Sequence, residues 1–467
     1  MGNGSSKKTL LRETLCDHEK PINCMAVSED GSIVVTGSDD KTARLWTAGS
    51  QETECLGVLK GHTQYVTCIA LTDEYVLTGS ADCTIRKWDP TSCDCVAVYE
   101  GHEARIIRIL CTGEYIFSAS NDQTAKTWVF DVPEYDEEDS ETVSCIKTFE
   151  GHSLGISAMI FIPGEGNDIV QDEDERYIDA GDILITGSTD STARSWSFAT
   201  GKTIKIFRGH KSAISCMSSD PEGTVLYTGS MDHSIRCWNI HKGECMKVLE
   251  GHAGPVLTLH VVNKLIYSGS SDNTAKCWVR NFDFCGNTYK GHLHTVTHVK
   301  YHEGYLFTAS GDACARAFDA KSGTLKAVFR AHTSAVTCLC LLDNFLYTGS
   351  SDGTLRVWDA SRSTLESEEL QFELEEENDD EVQPNPELDK FEKKLERYED
   401  DKDDVDLSSN HLKPPSTPGQ ERPSRLLAPS PTPSGRSRLS PSPSRLHLGR
   451  GPGNNNDVPY FPEELDL

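Results

Sequence analysis

The 467-residue chain contains no run of 18 apolar residues, and its first 25 residues contain no apolar signal-peptide core. A helical membrane span and a cleaved secretory leader are therefore not expected. Positive charge is scarce as well, with 45 Lys plus Arg against 73 Asp plus Glu and a formal net charge of −28. With neither a basic face nor stacking aromatics, no nucleic-acid partner is expected. Cys93 and Cys95 form a Cys-x-Cys, but no two cysteines stand at the Cys-x-x-Cys zinc spacing, so no metal site is expected among the 17 cysteines. No nucleophile with a base, carboxylate pair or phosphate loop stands out. The chain is read as non-enzymatic and without a cofactor.

What the chain has instead is one spacing repeated eight times. A His, usually in Gly-His, stands at His18, His62, His102, His152, His210, His252, His292 and His332. An Asp follows, usually 20 residues later and inside Gly-Ser-x-Asp or Ala-Ser-x-Asp, at Asp40, Asp82, Asp122, Asp190, Asp232, Asp272, Asp312 and Asp352. Six residues beyond each Asp comes a Trp or its substitute: Trp46, Trp88, Trp128, Trp196, Trp238, Trp278, Phe318 and Trp358. Runs such as Val34-Val35-Thr36-Gly37-Ser38 are short, apolar and β-prone, and each ends in the small-residue turn that carries the Asp.

A period of about 40 residues with this punctuation resembles the WD-repeat family, in which each unit contributes four strands to a β-propeller blade. The resemblance implies an all-β fold, an eight-bladed WD-repeat β-propeller over residues 8–362. It also implies a structural tetrad in each blade, joining the His, Asp and Trp to a hydroxyl four residues before the Asp. The matching hydroxyls are Thr36, Thr78, Ser118, Thr186, Thr228, Ser268, Thr308 and Thr348. A buried carboxylate and imidazole are tolerable only when their donors and acceptors are engaged, so these residues are read as structural. Blade seven has Phe318 where an indole donor is expected, and is read as the softest blade.

Ring closure falls to the N-terminus. Lys8 to Leu15 matches the outer-strand stretch Cys55 to Lys60, whereas the competing segment from Thr364 turns to Glu366-Ser367-Glu368-Glu369 and loses the apolar face a strand must bury. An N-terminal strand is expected to complete the last blade and remove a free sheet edge. Many cysteines sit at repeat-equivalent places, Cys24, Cys68, Cys216 and Cys338 among them, and read as small buried hydrophobes in a reducing compartment. Two acidic insertions, Phe130 to Cys145 and Pro163 to Asp182, lengthen blades three and four and are read as solvated loops on the wide face.

Outside the propeller the first expectation is lipidation. Residues 1–7, with Met1-Gly2 and Ser6-Lys7 followed by Lys8, fit an N-myristoylation signal on Gly2. One acyl chain and two lysines imply weak, reversible membrane contact, hence a cytoplasmic protein with a membrane-associated fraction. Residues 363–407 form an acidic linker, with an apolar stripe at Leu388, Phe391, Leu395 and Tyr398 that reads as a short helix over 386–398. Residues 408–467 form a Pro/Ser/Arg-rich disordered tail with proline-directed phosphorylation candidates at Thr417, Ser430, Thr432, Ser440 and Ser442, and a C-terminal linear motif.

In function, the family resemblance implies a monomeric, rigid scaffold or adaptor whose partners are other proteins. The alternative is a substrate-receptor subunit of a ubiquitin-ligase complex. Candidate protein-binding residues lie on the narrow face and in the channel. Tyr65 and Arg105 take the third position after the His in neighbouring blades, where most blades carry a small residue or Pro. Arg108 and His298 take the strand position that is Cys24, Cys68 and Cys216 elsewhere, and are expected to reach the central channel.

Overall fold

The structure, a computed structural model, describes residues 10–49, 52–130, 142–143, 145–164, 169–171, 177–179, 181–280 and 285–367. Eight antiparallel sheets follow one another along the chain, and their innermost strands contact in sequence order until the eighth meets the first. Blade one shows the plan, running from the channel outward as Ile22–Val27, Ile33–Ser38, Thr42–Thr47 and Cys55–Lys60. The inner strands of the other blades are Val66–Leu71, Ile106–Cys111, Ile156–Ile162, Ile214–Ser219, Val256–Val262, Val296–His302 and Val336–Leu342. Each second strand is β-branched or aromatic and almost wholly buried, because it is covered on both faces by neighbouring blades.

The core therefore lies between blades. Trp46 of blade one packs with Tyr347, Leu355 and Val357 of blade eight, and Trp128 of blade three with Leu77, Ile85 and Tyr99 of blade two. All seven tryptophans are at most 2% exposed. Burying one indole removes roughly 200 Å² from water, an upper bound of about 5 kcal/mol each.

Closure occurs as the sequence predicts. Leu11–Leu15 pairs antiparallel with Leu355–Asp359, setting Leu11 opposite Trp358 and Leu15 opposite Leu355. The competing segment is not a strand but one helical turn, Arg362–Leu365, which buries Leu365 completely beside Leu10 and Leu11. Tyr305 of blade seven donates to Glu366 Oε1 at 2.9 Å and holds the exit of that turn.

The reading of both insertions as plain loops is corrected. The first returns as Thr142–Val143, parallel to Cys95–Tyr99, and gives blade two a fifth strand. The second contains the antiparallel hairpin Ile169–Gln171 with Tyr177–Asp179. β-Branched residues and, in blade two, an outer edge with unpaired backbone groups account for both. Gly2, the acidic linker beyond Ser367 with its helix over 386–398, and the tail with Thr417, Ser430, Thr432, Ser440 and Ser442 lie outside the described residues. No described helix is long and apolar enough to cross a membrane.

Candidate functional site

In blade one the Trp46 indole N–H donates to Thr36 Oγ1 at 2.8 Å, Thr36 Oγ1 lies 2.8 Å from His18 Nε2, and His18 Nδ1 lies 2.7 Å from Asp40 Oδ2. A single proton assignment satisfies the whole line: the indole donates to the hydroxyl, the hydroxyl to Nε2, and Nδ1–H to the carboxylate. The other carboxylate oxygen of Asp40 accepts from the Thr42 backbone N–H at 2.9 Å and from the Thr42 hydroxyl at 2.6 Å, which fixes the turn.

The same line recurs around the ring. His–Asp distances are 2.6–3.0 Å and His–hydroxyl distances 2.7–2.9 Å in all eight blades. The seven indoles donate at 2.8–2.9 Å. Burial works to raise the Asp carboxyls, but bonds from the imidazole and the turn hydroxyl hold Asp40, Asp82, Asp122, Asp272 and Asp352 well below the usual carboxylate range. Burial likewise keeps the His152 and His210 imidazoles below their ordinary value. Groups held this tightly to one another are not poised for catalysis on a substrate.

Blade seven departs twice. Phe318 supplies no N–H, and Cys314 stands two residues after Asp312, where the other blades place Thr or Ser. Two hydrogen bonds are thereby lost. Arg316 fills the gap: it is 4% exposed, donates through Nη1 to Asp312 Oδ2 at 2.7 Å and abuts His292 Nδ1. The counterparts Arg44, Arg86, Arg194 and Arg236 instead run outward, each with a buried Nε that has no partner. The expected soft blade is therefore a cross-braced one. Comparing the residue two beyond each Asp would have revealed the departure in the sequence.

Each Asp turn lies against the connection after its Gly-His, through bonds such as Asp39 N–H to Pro21 O, Ala81 N–H to Tyr65 O and Asn121 N–H to Arg105 O. These turns gather at one end of the propeller. There Tyr65 of blade two and Arg105 of blade three meet, with Arg105 Nη1 donating to Tyr65 Oη at 3.1 Å. The Asn121 amide, turned with its oxygen inward, accepts from Arg105 Nε at 2.7 Å. Both side chains are half-buried, so their orientation is set before any partner arrives. Leu293 is 83% exposed, and Leu154, 51% exposed, and Met231 also reach solvent on this end. Arg108 and His298 are on the channel-lining strands of blades three and seven, away from the Tyr65–Arg105 pair.

The WD domain, G-beta repeat family matches residues 9–47, 53–89, 93–128, 143–197, 201–239, 243–279 and 323–359. The chain belongs to the WD-repeat family. The atypical blade seven falls in the gap between the last two matched stretches, as the losses at Cys314 and Phe318 lead one to expect. The chain is similar to human WD repeat-containing protein 86, 42% identical over 223 residues, which are 48% of this chain and 54% of that one. It is also similar to Mitochondrial division protein 1 of Mycosarcoma maydis, 25% identical over 41% of this chain and 22% of the relative. The matches thus span about half or less of these relatives' own lengths. Among solved structures, the computationally designed Ika8 protein superposes with a TM-score of 0.64 at 24% identity, and Sqt1 of Saccharomyces cerevisiae with 0.65 at 16%. Each covers 75% of this chain and 99% of its own, a likeness of fold. WD-repeat propellers generally serve as non-catalytic protein-interaction scaffolds.

Proposed function

We propose that this protein is a scaffold or adaptor that captures a partner protein on the end of the propeller where the Asp turns gather, with Tyr65 and Arg105 as its anchor. The observation that carries this reading is the 3.1 Å Tyr65–Arg105 bond between neighbouring blades, braced by Asn121. Tyr and Arg supply the greater part of binding energy in many interfaces, most of all when a rigid setting spares the cost of ordering them. The test is affinity purification with mass spectrometry from cells expressing wild type or Tyr65→Ala/Arg105→Ala, after circular dichroism has established that the variant is folded. Loss of a reproducible set of partners is expected. Retention of every partner would overturn the reading.

The scaffold is proposed to act in the cytoplasm and to visit membranes through a myristoyl chain on Gly2. Support comes from the Met1-Gly2 start with Ser6, Lys7 and Lys8, whereas the acidic linker opposes contact with an anionic surface and keeps attachment weak. Gly2→Ala is expected to empty the membrane fraction, and deletion of residues 368–406 to enlarge it. A Gly2→Ala variant as membrane-bound as wild type would overturn this part alone.

A further inference from the structure

On each inner strand one residue is paired with the Gly or Ala that opens the Gly-Ser or Ala-Ser turn sequence. In blades one, two, five and eight that residue is Cys24, Cys68, Cys216 or Cys338, opposite Gly37, Gly79, Gly229 or Gly349. The thiol lies over the glycine so closely that a Cβ built there would stand 2.6–2.7 Å from the sulfur. Blades three and seven differ on both strands. Arg108 is opposite Ala119, and His298 opposite Ala309. The alanine methyl occupies the place where a side chain would otherwise fold back, so Arg108 and His298 are diverted toward the channel. Four blades apart in a ring of eight, they approach from opposite walls.

Arg108 extends far enough for its charge to be felt at Cys24, Cys68, Cys216 and His298, on four different blades. Its guanidinium is exposed to the channel and makes no hydrogen bond or ion pair with any described residue. His298 shows part of its ring to the channel, while its Nδ1 is closed off and has no partner. Two residues further along each strand, on the same side, blade seven presents Lys300, exposed and close enough to influence His260 and Cys340 on the flanking blades. Neither of these two layers contains a carboxylate. Burial pushes the Cys68 thiol up to about 11 and those of Cys216 and Cys338 up to about 12, so they remain neutral beside Arg108. A chain of net charge −28 thus concentrates on its axis two cationic groups, Arg108 and Lys300, that have no partner among the described residues.

We infer that the channel is a binding site for a small soluble anion bearing two or more phosphate groups, held by Arg108 and His298 in one layer and Lys300 in the next. The layers are about 7 Å apart along the strand, the span of two residues. An Arg fork takes a phosphate through two parallel bonds, and a neutral His298, whose Nδ1 is closed off, can donate Nε2–H to the same group. The site is independent of the Tyr65–Arg105 anchor.

The test titrates tripolyphosphate into the full-length chain by calorimetry at fixed ionic strength, with orthophosphate and chloride as comparisons. One saturable site per chain is expected, weakened about tenfold or more by Arg108→Gln and by a smaller factor by His298→Ala or Lys300→Gln. Arg108→Lys, which keeps the charge and loses the fork, should fall between. Arg105→Ala should bind as wild type, so failure of the turn-face anchor and failure of this site are read separately. Absence of saturable binding, or equal affinity in wild type and Arg108→Gln, would overturn the inference. Should Arg108→Gln fail to fold, unchanged affinity in both Arg108→Lys and Lys300→Gln overturns it equally.

Discussion

Thr337, on the inner strand of blade eight, donates its hydroxyl to the carbonyl of Ile22 on the inner strand of blade one, 315 positions away. This bond closes a belt around the channel. Thr67 reaches Ile106 O at 2.6 Å, Thr297 reaches Val336 O at 2.8 Å, and Asn23 reaches Val66 O at 3.0 Å. Ser157 and Ser215 make the same bond to Ile214 and Val256. The equivalent residues in blades three and six are Ile107 and Leu257, so six of the eight seams carry the bond and two do not.

The belt predicts unequal seams. Thr67→Val should cost about 1 kcal/mol, because it leaves the Ile106 carbonyl without its cross-blade donor. Ile107→Thr should be neutral or stabilising by supplying the missing donor toward blade four. Chemical denaturation of both variants decides the matter, and equal losses in the two would remove the belt as a source of stability.

The closing strand predicts a clean deletion effect. Removing residues 1–15 strips Leu11 and Leu15 from Trp358 and Leu355 and exposes the edge of blade eight. The melting temperature should fall by about 5 °C or more. A melt unchanged by calorimetry would assign ring closure to another segment.

Blade seven predicts a contrast between two arginines at the same repeat position. Arg316→Ala leaves Asp312 and His292 short of a partner in a buried place and should cost about 3 kcal/mol. Arg356→Ala, which removes a side chain whose Nε and Nη1 have no partner, should cost about 1 kcal/mol or less. If the two variants denature at the same midpoint, the Arg316 brace is not a stabilising contact.

Acid should destabilise the propeller in two stages. Burial lowers the folded-state pKa of His152, His210 and His292, and takes those of His260 and His298 down to about 4. For a His whose folded pKa lies below its unfolded value of about 6.5, the unfolded chain takes up the proton first, so stability declines as pH falls below about 6.5. The tetrad carboxyls, held low by their bonds, add a second loss below about pH 4. Thermal melts between pH 7 and 4.5 should shift steadily downward, with a smaller shift in His298→Gln. A flat profile over that range would contradict the buried, neutral state of these imidazoles.

The eight-blade count, the tetrads and the N-terminal closure were all legible in the sequence, because each depends on spacing within one blade or on an apolar face that either continues or breaks. His62, Thr78, Asp82 and Trp88 belong to a single period, so their hydrogen-bonded line follows from local register alone. Tyr65 and Arg105 could be placed side by side by the same reasoning, although the bond between them and the Asn121 brace could not. Blade seven was only half legible: the absent indole is visible at Phe318, but a guanidinium turned inward depends on the space left by two small changes at once. The strand Thr142–Val143 on the edge of blade two, the one-turn helix that buries Leu365 and the convergence of Arg108 and His298 were decided by tertiary structure. Repeat spacing specifies what each blade does within itself. What meets across seams and across the channel depends on how eight blades close around one axis, and that distance is written in no single repeat.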